Sequence, residues 1–188
     1  MSKPVNATNY EAIPAYSNGA SKSEAKVHAI IETPKGSPHK YALRSDYGII
    51  AFKEVLPDSM SWPYDYGFVP HTLAPDGDPL DVLVISENGL FSGCLIEVRV
   101  IGIVHEAKDG TENDRLIAVP LPSQGAPQVT DDYYAFSDVP KSTQKEICEF
   151  LKLYSERQGH RIEQKGVGDA DEAMKAVQAT KKAFKKKK

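Results

Sequence analysis

Three carboxylates fall within six residues at Asp76-Gly77-Asp78-Pro79-Leu80-Asp81. A glycine and a proline separate them, and the β-branched, apolar run Val82-Leu83-Val84-Ile85 follows at once. This reads as a tight turn feeding a strand over Leu80–Ser86. Unpaired carboxylates so close together repel one another, and in an enzyme-like setting a divalent cation is the usual neutraliser. Hard cations such as Mg²⁺ take oxygen ligands and keep several waters. A calcium loop of the EF-hand type does not fit. Counted from Asp76, the first, third and twelfth positions carry Asp76, Asp78 and Glu87, but Leu80 and Asp81 stand where an oxygen ligand and a glycine are required. Strands rather than helices flank the run.

The rest of the chain reads as the frame for this cluster. Residues 1–26 are small and polar, with Tyr10 and Tyr16 the only aromatics, and suggest an extended or disordered arm able to dock on the body. Strands are expected at Val27–Thr33, Tyr41–Arg44 and Ile49–Leu56, the last two forming a hairpin through Asp46-Tyr47-Gly48. Pro57 to Pro75 holds four prolines and reads as irregular. Its rings, Trp62, Tyr64, Tyr66 and Phe68, suit either the core or the wall of a site. Further strands are expected at Cys94–Val104, with Gly102 as a bulge or bend, and at Asp114–Leu121, separated by a charged loop over His105–Asn113. Helical spacing marks Lys141–Gln158 through Ile147, Phe150, Leu151 and Tyr154, and a second helix from Asp169 to about Phe184. The fold class is therefore mainly β: a small closed antiparallel barrel of the OB type plus two C-terminal helices. A single domain spans 27–180, and 181–188 is a lysine-rich tail.

Composition narrows the function classes. The formal net charge is −3, yet the last eight residues hold six lysines, so the body carries about −9 (−3 − 6). An acidic body fits cation binding and argues against nucleic acid. No apolar run approaches the ~18 residues of a membrane span, and the N-terminus has no apolar signal segment. Cys94 and Cys148 each sit in an apolar pattern and read as buried free thiols, with no zinc spacing. A cytoplasmic protein is expected.

A second acidic loop, with Glu106, Asp109, Glu112 and Asp114, could bring further carboxylates toward the cluster. Carboxylates converging from several strands can hold two or more Mg²⁺, which clamp a phosphoryl group and acidify a shared water. Together with cations on the phosphate oxygens, this suffices for phosphoanhydride hydrolysis.

The run Trp62-Pro-Tyr-Asp-Tyr-Gly-Phe-Val-Pro-His-Thr-Leu-Ala-Pro-Asp-Gly-Asp-Pro-Leu-Asp81 resembles the soluble, Mg²⁺-dependent inorganic pyrophosphatases of the OB-barrel type, whose signature is Asp-x-Asp-Pro-x-Asp. The resemblance covers roughly 27–158. It implies Mg²⁺-dependent hydrolysis of pyrophosphate to two phosphates by a metal-activated water, in a homo-oligomer that is a hexamer in bacteria. It also implies metal ligation by Asp76, Asp78 and Asp81, with Asp78 helping to position or deprotonate the water. Glu32 matches an active-site glutamate on the metal side, and Lys40 a phosphate-binding lysine. Tyr66 and Tyr154 match phosphate-facing tyrosines.

Several positions depart from the family pattern. Ala42 stands for a glutamate, Glu54 for a phosphate-gripping arginine, Trp62 for a tyrosine and Ser155 for a lysine. The family's second loop has two metal-binding aspartates five apart, and a lysine two beyond. Acidic spacing selects Asp109 and Asp114 as ligands, whereas strand register puts Asn113 in the second place; Arg115 serves as the phosphate clamp either way. Asn113-Asp-Arg-Leu-Ile-Ala-Val-Pro120 and Glu54-Val-Leu-Pro57 resemble a divergent bacterial subgroup. The rival expectation is a barrel that binds metal and phosphate without turnover, suggested by Ala42, Glu54 and Ser155.

Overall fold

The computed structural model describes residues 10–16, 25–57, 59–122 and 128–187. Nine strands and two long helices are found among them: β1 (Lys26–Thr33), β2 (His39–Arg44), β3 (Ile49–Val55), β4 (Asp65–Phe68), β5 (Asp81–Val84), β6 (Leu95–Lys108), β7 (Thr111–Glu112), β8 (Arg115–Pro120), α1 (Lys141–Arg157), β9 (Ile162–Gly168) and α2 (Ala170–Lys187). The main sheet runs β1-β4-β5-β8-β6, and β6 pairs back onto β1, so five strands close into a ring. The closed OB-like barrel with two C-terminal helices is thus present. One pairing departs from the all-antiparallel expectation: β5 and β8 are parallel, with Asp81 beside Arg115.

Alternation along the strands sorts the core. Val27, Ala29, Ile31, Val82, Val84, Val98, Val100, Leu116 and Ala118 form one cluster that α2 covers with Ala173, Met174 and Val177. The intervening Leu83, Ile85, Ile117 and Val119 face the other way, against Ile147 and Leu151 of α1. The register of β6 slips between Val100 and Gly102, the bulge that the glycine foreshadowed. It returns Ile103 to the first cluster. A side chain at Gly102 would press on Phe136 and on the Gly168 carbonyl, so the glycine also permits this close approach.

Three strands escape sequence reading, β4, β9 and the two-residue β7. β4 lies within the proline-rich stretch, because the prolines stop short of it: Pro63 precedes Asp65, and Pro70 follows Phe68. β9 lacks an apolar face, being mostly exposed, and it forms because the extended end of β6 offers it an unpaired edge. For the same reason β6 continues to Lys108, through half of the expected loop, and Asp109-Gly110 turns into β7. Both turn residues have positive φ, 52° and 84°.

The hairpin β2-β3 is a separate two-stranded sheet. Its anchor is the end of β1. The Thr33 hydroxyl accepts from the Tyr41 amide at 3.0 Å and donates to the Tyr41 carbonyl at 3.1 Å. Glu32 Oε1 accepts the Leu43 amide at 2.7 Å.

Part of the arm docks as expected: Tyr10 meets the Phe68 ring edge-on, and the Ala15 carbonyl accepts the His28 amide at 3.0 Å. Residues 1–9 and 17–24, on which the extended or disordered reading rests, lie outside the described residues. The lysine-rich end continues α2 to Lys187 instead of fraying after Phe184. Both cysteines are free and half-buried. Among the described residues, no helix is long and apolar enough to cross a membrane.

Closure of the ring depends on Gly67 in β4. A side chain there would overlap the Ile30 carbonyl of β1. Gly67→Ala is expected to destabilise the fold by about 3 kcal/mol, read as a fall in the urea midpoint with an unchanged denaturant slope. A midpoint equal to that of the parent would contradict this account.

Candidate active site

The loop over 69–80 leaves β4 and returns at β5 carrying the acidic cluster. Thr72, which is buried, ties its two limbs together. Its hydroxyl donates to the Val69 carbonyl at 2.5 Å and accepts the Leu80 amide at 2.9 Å. Within the loop, the Ala74 amide donates to the Asp78 carbonyl at 2.7 Å, and Gly77 takes φ of 95°. The Asp78 amide donates to Asp76 Oδ1 at 3.1 Å. The aspartates are therefore held by backbone geometry and leave most of their oxygens unshared.

They open into a cavity of about 730 Å³. Asp76, Asp78, Asp81 and Glu32 line it, as do Lys40, Lys53, Lys108 and Arg115. Tyr66, Phe68 and Tyr154 add aromatic wall, while Trp62 and Tyr64 are buried in the protein, so the ambiguous rings divide between site and core.

The acidic wall is strained electrostatically. Enclosure in the wall pushes the Asp76 carboxyl above its ordinary pKa, and the charges of Asp81 and Asp78 push the same way, against the bond from the Asp78 amide. Burial raises Glu32 strongly, and Asp81 adds to it, while the Leu43 amide and Lys40 oppose. A cation would relieve all of these groups, and their donors are hard oxygens, so the residues fit a hard divalent cation. Among the described residues, no three His, Cys, Asp or Glu side chains close into a ready metal cage. An open acidic wall suits an ion that keeps much of its water.

The basic side is more rigid. Arg115 is buried and forms an ion pair with Glu106, whose carboxylate is fully buried. Its Nε makes no hydrogen bond among the described residues and stands 3.9 Å from Asp81 Oδ2. Burial would lower the guanidinium pKa, but Tyr66, Asp81 and Glu106 outweigh it and hold the group above its ordinary range. The Tyr66 hydroxyl donates a short bond to Asp81 Oδ2, and burial followed by that charge raises the phenol well above its usual pKa. Lys40 sits in an aromatic cage, its Nζ 5.4, 5.1 and 5.0 Å from the centres of the Trp62, Tyr66 and Tyr154 rings. Burial there lowers the Lys40 pKa, while Asp81 and Glu32 partly restore it. Each such contact contributes about 0.5–2 kcal/mol.

Three expectations need correction. Asp109 and Asp114 do not reach the cavity. Asp109, at the turn, accepts the Arg161 amide at 2.8 Å and pairs with His160 Nδ1 at 2.7 Å. Asp114 pairs with His105 Nδ1 at 2.8 Å and accepts the Glu106 amide at 3.2 Å. Lys108 and Asn113 line the cavity instead, Lys108 at the end of β6 and Asn113 two residues before Arg115. The register counted back from Arg115 to Asn113 is the signal that outweighs acidic spacing at Asp114; the turn at Asp109-Gly110 breaks it before Asp109. Tyr154 lines the cavity, but its hydroxyl donates to Glu54 Oε1 at 2.7 Å, so its ring, not its phenol, serves the site. Glu54 in turn does not line the cavity; its neighbour Lys53 does.

The chain as a whole is similar to known proteins. The family model for inorganic pyrophosphatase matches residues 29–185. The chain belongs to the inorganic pyrophosphatase family. An inorganic pyrophosphatase of Halalkalibacterium halodurans is 38% identical over 151 residues, 80% of this chain and 90% of that one. Another, from Geobacillus stearothermophilus, is 42% identical over 137 residues, 73% and 81% of the two chains. The crystal structure of the Thermus thermophilus inorganic pyrophosphatase superposes with a TM-score of 0.83 at 34% identity, over 94% of this chain and 99% of that one. Within this fold the acidic loop joins β4 to β5, and Lys40 lies on β2.

Arg115 is the member of the site most dependent on the core. Removing its buried partner by Glu106→Ala is expected to cost about 3–5 kcal/mol of stability, the penalty of an uncompensated buried charge, measured by chemical denaturation. A loss below about 1 kcal/mol, the level of an exposed pair, would show that Arg115 is solvated.

Proposed function

We infer that the chain catalyses the Mg²⁺-dependent hydrolysis of inorganic pyrophosphate to two phosphates. The observation that carries this reading is the meeting, in one cavity of a pyrophosphatase-family chain, of Asp76, Asp78 and Asp81 with Lys40 and Arg115. Asp76, Asp78 and Asp81, with Glu32 behind them, would hold the metal, which when bound supplies Lewis-acid charge and lowers the pKa of a water.

The chain's own residues supply the remainder. Lys40 and Arg115 bind phosphoryl oxygens, and both are oriented beforehand, Lys40 by its rings and Arg115 by Glu106. Preorganised charge needs little rearrangement as negative charge shifts toward the leaving group. Tyr66 and Arg115 hold one oxygen of Asp81 and so fix its orientation. Asp78, exposed at the cavity wall, orients the attacking water and accepts its proton. The water oxygen bonds to one phosphorus, the bond from that phosphorus to the bridging oxygen breaks, and the second phosphate leaves with the electron pair.

The rival reading, binding without turnover, drew support from the reversed charge at Glu54. That carboxylate is engaged by Tyr154 and Gln158 outside the cavity, which weakens this support. We also place the protein in the cytoplasm, consistent with two unpaired cysteines. A homo-oligomer, hexameric by family resemblance, accords with exposed Phe91, Val129 and Tyr134.

Purified protein is expected to release phosphate from pyrophosphate with Mg²⁺ and to stop on chelation, with activity restored by added Mg²⁺. Asp78→Asn is expected to lower kcat by about 10²–10⁴ while keeping the parent melting temperature. Equal turnover by parent and variant would remove Asp78 from its role, and no turnover by the parent would defeat the reading.

A further inference from the structure

The cationic side of the cavity has two members that the family resemblance did not supply. Lys53 occupies an irregularity of the β2-β3 hairpin: Lys40 pairs with Glu54 and Tyr41 pairs with Phe52, so Lys53 has no opposite residue. A bulge of this kind re-aims a side chain, and Lys53 lines the cavity. Lys108 is the last residue of β6, paired with Thr111 across the turn, and is half-buried in the same wall.

Neither lysine has a close carboxylate partner among the described residues. Arg115 has Glu106, Arg44 has Asp46 at 2.7 Å, and Lys40 has its three rings. Among the described residues Lys53 and Lys108 form no ion pair. The two also face like charges: burial first, then Lys53 and Arg115, hold the Lys108 ammonium below its ordinary pKa, and Lys53 acts in the same sense on Lys40. Counter-charge reaches them at longer range, Glu32 for Lys53 and Asp109 and Asp81 for Lys108, and a divalent cation on the cavity carboxylates would leave the ammonium groups largely unbalanced. Convergent cations, like convergent carboxylates, call for a ligand of opposite charge.

Building on the pyrophosphate reading, we propose that Lys53 and Lys108 form a second phosphate clamp, which holds the end of the diphosphate remote from the aspartates with fixed charge. Lys40 and Arg115 then bridge the two ends. The clamp makes part of substrate binding independent of metal, since these charges come from the chain itself.

Lys53→Met and Lys108→Met keep the aliphatic stem and remove the charge; Lys53→Arg and Lys108→Arg restore it. Lys165→Met, on exposed β9, is the control. Two measurements are made on each: steady-state pyrophosphate hydrolysis with Mg²⁺, and calorimetric titration of methylenediphosphonate in EDTA. Each methionine variant is expected to raise KM about tenfold with less change in kcat, and to weaken metal-free analogue binding about tenfold, as removal of ~1.4 kcal/mol does. The arginine variants are expected to recover most of both, and the control to match the parent. Unchanged KM and analogue affinity in the methionine variants would overturn the clamp, as would a parent protein that binds no analogue without metal. A parent that binds the analogue through Lys53 and Lys108 yet hydrolyses no pyrophosphate would leave the clamp standing and defeat the activity assignment.

Discussion

The parallel pairing of β5 with β8 sets Asp81 beside Arg115, and much of the site follows from that one register. Asp81 ends the acidic loop, and Arg115 begins the strand that lies against it. The guanidinium is buried, so it must find carboxylates; it finds Glu106 on the core side and Asp81 on the cavity side. A buried pair of this kind adds little net stability, since desolvation offsets most of the attraction. What it supplies is position. The strand that completes the barrel also delivers a cation to the cavity in one orientation, and Tyr66 from β4 locks the carboxylate next to it.

The rest of the cavity is arranged around that point by short tethers. Glu32 and Thr33 at the end of β1 hold the hairpin that carries Lys40 and Lys53. Thr72 closes the acidic loop, and the Thr180 carbonyl of α2 accepts the Leu73 amide at 3.0 Å. The acidic loop and the lysine-bearing hairpin are therefore separately tethered pieces, and a ligand that carries metal on one side and phosphoryl oxygens on the other would join them.

Legibility in the sequence followed the strength of the local signal. The strands of the barrel could be read because alternation and glycine bulges are local, as with Gly102. β9 could not, since its reason for pairing is the bare edge of β6 and not its own polar residues. Asp76, Asp78 and Asp81 could be read because a single tight loop holds all three. The second loop misled because charge was weighed above register: Asp109 and Asp114 are acidic but turn outward to histidines, whereas Asn113 and Lys108 face inward. Lys53 was hidden for a related reason, since a bulge cannot be seen in a strand whose alternation is already weak.

Glu54 shows how a change that looks disabling in the sequence can be absorbed by geometry. A carboxylate among phosphate-binding groups would repel the substrate if it faced the cavity. Here its oxygen accepts from Tyr154 and Gln158 of the α1 region, and the Tyr154 ring that this bond steadies is one wall of the Lys40 cage. The residue beside it, Lys53, brings an ammonium to the cavity instead. Positive charge is thus displaced by one residue along β3 rather than lost, and the misplaced negative charge orients a neighbouring cation through an aromatic ring. A carboxylate placed in this way leaves the acidic wall intact and keeps the cavity side of the hairpin cationic.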